Sequence, residues 1–133
     1  MFKNASKPQG RIDTLIGAGT TITGDIVFVG GLRIDGEVRG NVRAADGQQT
    51  STLVISEHAR IEGEIEVAHV VVNGTVIGPI ASTASLELQD KARVTGDLEY
   101  SAVEIHLGAV VEGRLVHRAQ AGKAVELKLA TSN

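Results

Sequence analysis

A five-residue phrase recurs along this chain: a branched aliphatic, a polar residue, glycine, a polar residue, another branched aliphatic. It reads Ile22-Thr23-Gly24-Asp25-Ile26, Ile34-Asp35-Gly36-Glu37-Val38, Ile61-Glu62-Gly63-Glu64-Ile65 and Val72-Asn73-Gly74-Thr75-Val76. It returns as Val94-Thr95-Gly96-Asp97-Leu98 and Val111-Glu112-Gly113-Arg114-Leu115. A repeat of this size cannot bury its apolar face alone, so neighbouring copies must stack. Leu88, Val94 and Leu98 map onto Ile105, Val111 and Leu115 with a constant offset of 17. Ile61, Gly63 and Ile65 precede Val94, Gly96 and Leu98 by 33, close to two such units. Gly24 precedes Gly63 by 39, and the polar stretch at 44–51 accounts for the extra six as a loop insertion. About six windows then cover residues 12–118, the middle ones fitting less well than the last two.

Inside a window, apolar and polar residues alternate, as in Leu32, Ile34, Val38 and in Val103, Ile105, Leu107. That is the period of a half-buried strand. Ile and Val suit a pleated surface, and glycine with Asn, Asp or Ser punctuates the segments. Three short strands per unit of 17 make one coil of a β-solenoid, and coils spaced by about 4.8 Å give a rod of roughly 29 Å. A β-sandwich is the structural alternative, but aromatic core residues are scarce: only Phe2, Phe28 and Tyr100 occur. The expected fold is all-β, a single-stranded right-handed parallel β-helix of about six coils. Residues 12–118 form it, between a flexible tail at 1–11 and a second tail at 119–133 whose alternating Val125, Leu127 and Leu129 suit an end cap.

Composition removes several function classes. A net charge of −3 argues against a nucleic-acid protein, which would carry a basic face. Cysteine is absent, so disulfide and thiolate chemistry are excluded. No long apolar run or signal-like segment occurs, which predicts a cytoplasmic protein.

The four histidines invite a metal reading, because His58 and His69 lie 11 apart, as do His106 and His117. A catalytic zinc needs about three ligands with an open position. Solenoid enzymes of the gamma-carbonic-anhydrase type meet that need on a left-handed coil with a six-residue repeat, which is missing here. Charged neighbours such as Glu57 and Arg60 favour surface or corner histidines. Carboxylates flank most glycines (Asp25, Asp35, Glu37, Glu62, Glu64, Asp97, Glu112), whereas a pair cleaving a polysaccharide would be singular. They read as solvated faces and as ladders that set coil register. No phosphate-binding glycine loop occurs, so no nucleotide cofactor is expected, nor any metal or catalytic residue. Met1-Phe2 followed by Lys3 and Lys7 is suited to dip into an anionic bilayer surface, though one copy is a marginal anchor.

Asp13-Thr14-Leu15-Ile16-Gly17, the stretch Gly31-Leu32-Arg33-Ile34-Asp35-Gly36-Glu37-Val38-Arg39-Gly40 and the later Val-x-Gly-x-Leu returns carry a resemblance. Over residues 12–118 the chain resembles the bactofilins, bacterial cytoskeletal proteins that polymerise without nucleotide. The resemblance implies a triangular right-handed β-helix and a non-polar filament. It also implies that Met1, Phe2, Lys3 and Lys7 bind the inner membrane from its cytoplasmic face. Implied clients are peptidoglycan synthases or hydrolases that act in cell shape or division.

Neither end of the repeat shows a helical cap, and open strand edges invite pairing with a second copy. One end offers Leu15, Ile16, Ile22, Val27, Phe28 and Val29; the other offers Val103, Ile105, Val110, Val111, Leu115 and Val116. The expected function is a self-polymerising, membrane-bound scaffold, not an enzyme. A solenoid enzyme with a histidine or carboxylate site is the competing class.

Overall fold

The chain winds through six coils of three short strands in a computed structural model that describes residues 11–45 and 50–118. The first coil is β1 (Thr14–Ile16), β2 (Thr21–Thr23) and β3 (Ile26–Phe28). The second is β4 (Gly31–Ile34), β5 (Glu37–Arg39) and β6 (Val42–Ala44). The third begins with β7 (Thr52–Ile55) and β8 (Arg60–Glu62). Next, β9 (Ile65–Val72) closes the third coil and opens the fourth, which continues with β10 (Thr75–Ile77). Likewise β11 (Ile80–Leu88) closes the fourth and opens the fifth, followed by β12 (Arg93–Thr95) and β13 (Leu98–Tyr100). The sixth is β14 (Ala102–Ile105), β15 (Val110–Glu112) and β16 (Leu115–His117). Every ladder is parallel, and no helix occurs among the described residues. This is the all-β parallel solenoid expected from the repeat.

The coil has three faces. On each, one inward position is aliphatic in all six coils. The first face stacks Ile16, Ile34, Ile55, Val72, Leu88 and Ile105. The second stacks Ile22, Val38, Ile61, Val76, Val94 and Val111. The third stacks Ile26, Val42, Ile65, Ile80, Leu98 and Leu115. In the four middle coils these side chains are buried, with at most 2% exposed. Each such burial is worth about 1.5–3 kcal/mol, and three per coil form a continuous core. The offset of 17 is realised in the pairs Leu88 with Ile105, Val94 with Val111 and Leu98 with Leu115.

The recurring phrase proves to mark two different corners. Gly36 and Gly74 sit between the first and second faces, whereas Gly24, Gly63, Gly96 and Gly113 sit between the second and third. At the latter corner every coil turns on glycine, Gly40 and Gly78 included, all with positive φ. A Cβ on any of them from Gly40 onward would strike the carbonyl of the glycine one coil below. Backbone therefore stacks on backbone along this edge, a contact only glycine permits.

The other corners vary in length, which is why the middle windows fit the repeat poorly. Between the first two faces, residues 17–20, 56–59, 89–92 and 106–109 make four-residue turns closed by hydrogen bonds of 3.0–3.2 Å, such as Ala59 N to Ser56 O. In the second and fourth coils the same corner is the pair Asp35-Gly36 or Asn73-Gly74. The insertion inferred at 44–51 falls between the third and first faces, and residues 46–49 lie outside the described ones.

Candidate functional site: the two ends of the rod

Each terminal coil has a neighbour on one side only among the described residues. β1, β2 and β3 pair with β4, β5 and β6; β14, β15 and β16 pair with β11, β12 and β13. Their outer N–H and C=O groups therefore form three-sided edges in the direction of a further coil. Natural edge strands are normally blunted with charge or proline. The strands of the first coil have neither, reading Thr-Leu-Ile, Thr-Ile-Thr and Ile-Val-Phe, and its acids Asp13 and Asp25 lie at corners. At the far end charge is present but turned outward, on Glu104 and Glu112, while Val103, Ile105, Val111 and Leu115 face the interior.

The residues expected at the interface thus divide into two sets. Ile16, Ile22, Phe28, Val103, Ile105, Val111 and Leu115 continue inward ladders, so a coil added at either end would cover them. Leu15, Val27, Val110 and Val116 point outward, in register with Arg33, Arg43, Arg93 and Glu99, and Val29 lies at a corner. The ends are unequal in exposure. Ile16 and Phe28 are only 8% exposed, whereas Ile105 and Leu115 are 47% and 42% exposed. Phe28 sits inward over Ala44 and is itself buried.

Several carboxylates and amides flanking the glycines hold neighbouring coils together. Asp25 Oδ1 accepts from Asn41 N, Asn41 Oδ1 from Glu64 N, and Asp97 Oδ1 from Arg114 N, each at 2.9 Å. Asp13 Oδ2 accepts from Gly31 N at 2.9 Å. These backbone donors hold the Asp13 and Asp97 carboxyls below the usual carboxylate range. Other outward charges form short-range pairs, Arg33 with Asp35, Arg39 with Glu37 and Arg60 with Glu62. Such exposed pairs contribute about 0–1 kcal/mol each.

The histidines are dispersed over the rod. His58 lies on the third-coil turn beside Glu57, 3.5 Å away, and His117 tilts against Tyr100 with ring centroids 6.0 Å apart. His69 differs from the expected surface or corner position. It opens the fourth coil's first face, half-buried, with Nδ1 2.8 Å from Ser85 Oγ. Burial pushes its pKa down, which favours the neutral imidazole. His106 Nε2 lies 3.2 Å from Glu87 and 3.1 Å from Glu104, whose carboxylates occupy opposed positions on adjacent strands. Replacing all four histidines by Gln is expected to leave polymerisation and metal content unchanged. Sedimentation and elemental analysis check this; stoichiometric zinc in the wild-type protein, lost in the variant, would restore the enzyme reading.

A parallel β-solenoid whose inward ladders run aliphatic into both described terminal coils is a rod that further coils could extend. Residues 14–116 match the family described as "Bactofilin: Polymer-forming cytoskeletal", and the chain belongs to the bactofilin family. It is similar to bactofilin BacP of Myxococcus xanthus (strain DK1622), with 28% identity over 113 residues, 85% of this chain and 45% of BacP. It therefore spans less than half of that relative's length. Bactofilin BacO of the same organism is 29% identical over 103 residues, covering 77% of this chain and 78% of BacO. No solved structure matches the chain. Polymer formation, not catalysis, is what describes the family.

Proposed function

We propose that this bactofilin is a nucleotide-independent scaffold polymer lying on the cytoplasmic face of the inner membrane. There it holds peptidoglycan synthases or hydrolases in place and so affects cell shape or division. The observation that carries the polymer is the set of three uncharged strands in the first coil, each paired on one side only among the described residues. Stacking a coil on that edge extends three ladders at once and needs no energy source. A joint between like ends gives a non-polar filament, the arrangement that the likeness to the family favours.

The membrane element lies in Met1, Phe2, Lys3 and Lys7, outside the described residues. Phe2 inserts at the interface and each lysine adds about 1 kcal/mol near an anionic surface, which is too little for one chain. A polymer presents many tails at high effective concentration, so weak anchors sum to stable attachment. Deleting residues 1–7, or Phe2→Glu, is expected to abolish co-sedimentation with phosphatidylglycerol vesicles while filaments persist in electron micrographs. Tight vesicle binding without Phe2 would remove the tail from the mechanism.

A further inference from the structure

Polymerisation leaves one apolar surface of the first coil unexplained. Ile12, Leu15, Val27 and Val29 are 40%, 58%, 56% and 61% exposed. All four gather about the corner between the third and first faces. Val27 is the outward residue of β3, Val29 follows that strand, Leu15 is the outward residue of β1, and Ile12 backs onto Gly31. A coil stacked on the end would not cover the two strand residues. Leu15 is in register with Arg33 and Val27 with Arg43, and both arginines stay exposed although coils lie on either side of them. At these outward positions the second coil uses charge where the first uses aliphatics, and an exposed apolar cluster signals a partner.

We propose that this corner is a lipid-contacting edge, by which the β-helix itself lies against the bilayer beside the tail. The inference rests on the membrane reading above and extends it from the tail to the folded rod. Two observations favour lipid over a second copy. The segment carrying Met1, Phe2, Lys3 and Lys7 enters the fold at Arg11 and Ile12, on this same corner. Residues 1–12 hold Lys3, Lys7 and Arg11 and no acid, so the segment that joins the fold here complements an anionic surface. In the folded coils beside it the charges balance, Arg11 against Asp13, Arg33 against Asp35 and Arg43 against Glu66, so the attraction comes from the tail. Aliphatics beside an acid-free basic segment suit the headgroup boundary, where apolar groups insert and cations meet lipid phosphates.

The full chain contains no tryptophan, so Val29→Trp supplies a single fluorescent reporter at the corner. With phosphatidylglycerol vesicles its emission is expected to shift to the blue and to be quenched by lipids brominated along the acyl chain. Ile77→Trp, outward on the second face of the fourth coil, is expected to show neither effect. In a second arm, Leu15→Thr, Val27→Thr and Val29→Thr together keep β-compatible side chains but remove the apolar surface. This variant is expected to form normal filaments and to bind vesicles about tenfold more weakly, equivalent to about 1.4 kcal/mol. An unquenched indole in Val29→Trp protein that pellets with vesicles, or wild-type binding by the triple variant, would overturn the inference and leave the tail reading standing. Triple-variant filaments that lose side-by-side bundling yet bind vesicles fully would overturn it in favour of a second copy. Failure of the wild-type chain to bind vesicles at all would sink both readings.

Discussion

Val111→Arg is expected to convert the polymer into discrete dimers while the rod stays folded. Val111 is the inward residue of the second face in the last coil, and no described strand lies beyond it. In the free subunit an arginine there can turn its guanidinium into water. Once another subunit stacks on that end, the charge is buried without a partner, at a cost of several kcal/mol. Since about 1.4 kcal/mol is tenfold in an equilibrium constant, the far-end joint weakens by several orders of magnitude. If like ends meet, the first-coil joint survives and dimers remain; if unlike ends meet, every joint is lost and monomers remain. Analytical ultracentrifugation separates these outcomes, with circular dichroism reporting the fold. Wild-type pelleting by this variant would place the interface elsewhere. Phe28→Arg tests the opposite end less cleanly, because Phe28 is already buried against its own coil and the change also costs folding energy.

Gly63→Ala is expected to disrupt the middle of the rod, whereas Gly24→Ala leaves it folded. Both glycines have positive φ, 155° and 129°, so alanine incurs a similar backbone strain of about 1–3 kcal/mol at each. They differ in what lies below. A Cβ on Gly63 meets the carbonyl carbon and oxygen of Gly40, which are backbone and cannot swing aside. A Cβ on Gly24 meets nothing within 4 Å. The overpacking at Gly63 adds roughly 1–3 kcal/mol and opens coils on both sides of the corner. Thermal melting followed by circular dichroism, with hydrogen exchange across β8 and β9, measures the contrast. Equal melting temperatures for the two variants would mean that the glycine stack is looser than its geometry.

The fold was legible because its core is one-dimensional. The constant offset linking Leu88, Val94 and Leu98 to Ile105, Val111 and Leu115 is a ladder contact on all three faces, and it emerged from spacing alone. The corners were harder to read. Gly36 and Gly63 have the same flanking chemistry but lie on different edges, because a corner with three residues between two inward aliphatics can produce that phrase on either edge. Gly78 escaped the pattern since Ile77 and Pro79 flank it, although it turns the same corner as Gly63 and Gly96. Among the proposed end residues, hydrophobicity could not separate inward from outward positions. Leu15 and Ile16 are adjacent and equally apolar, but one is 58% exposed and the other 8%. Only the register with Arg33 and Ile34 tells them apart.

The sameness of the inward ladders has a bearing on how such a subunit changes over evolutionary time. Coils two to five present nearly interchangeable aliphatics and an invariant glycine corner, so duplicating or deleting one leaves its neighbours with the surfaces they already had. Each such event alters the length of every subunit by about 4.8 Å, and the two-subunit period of a like-ended filament by twice that, and leaves both terminal coils intact. The subunit spacing along such a polymer can therefore drift in fixed steps, without any compensating mutation at the joints. In this molecule length is a quantity that copying can count.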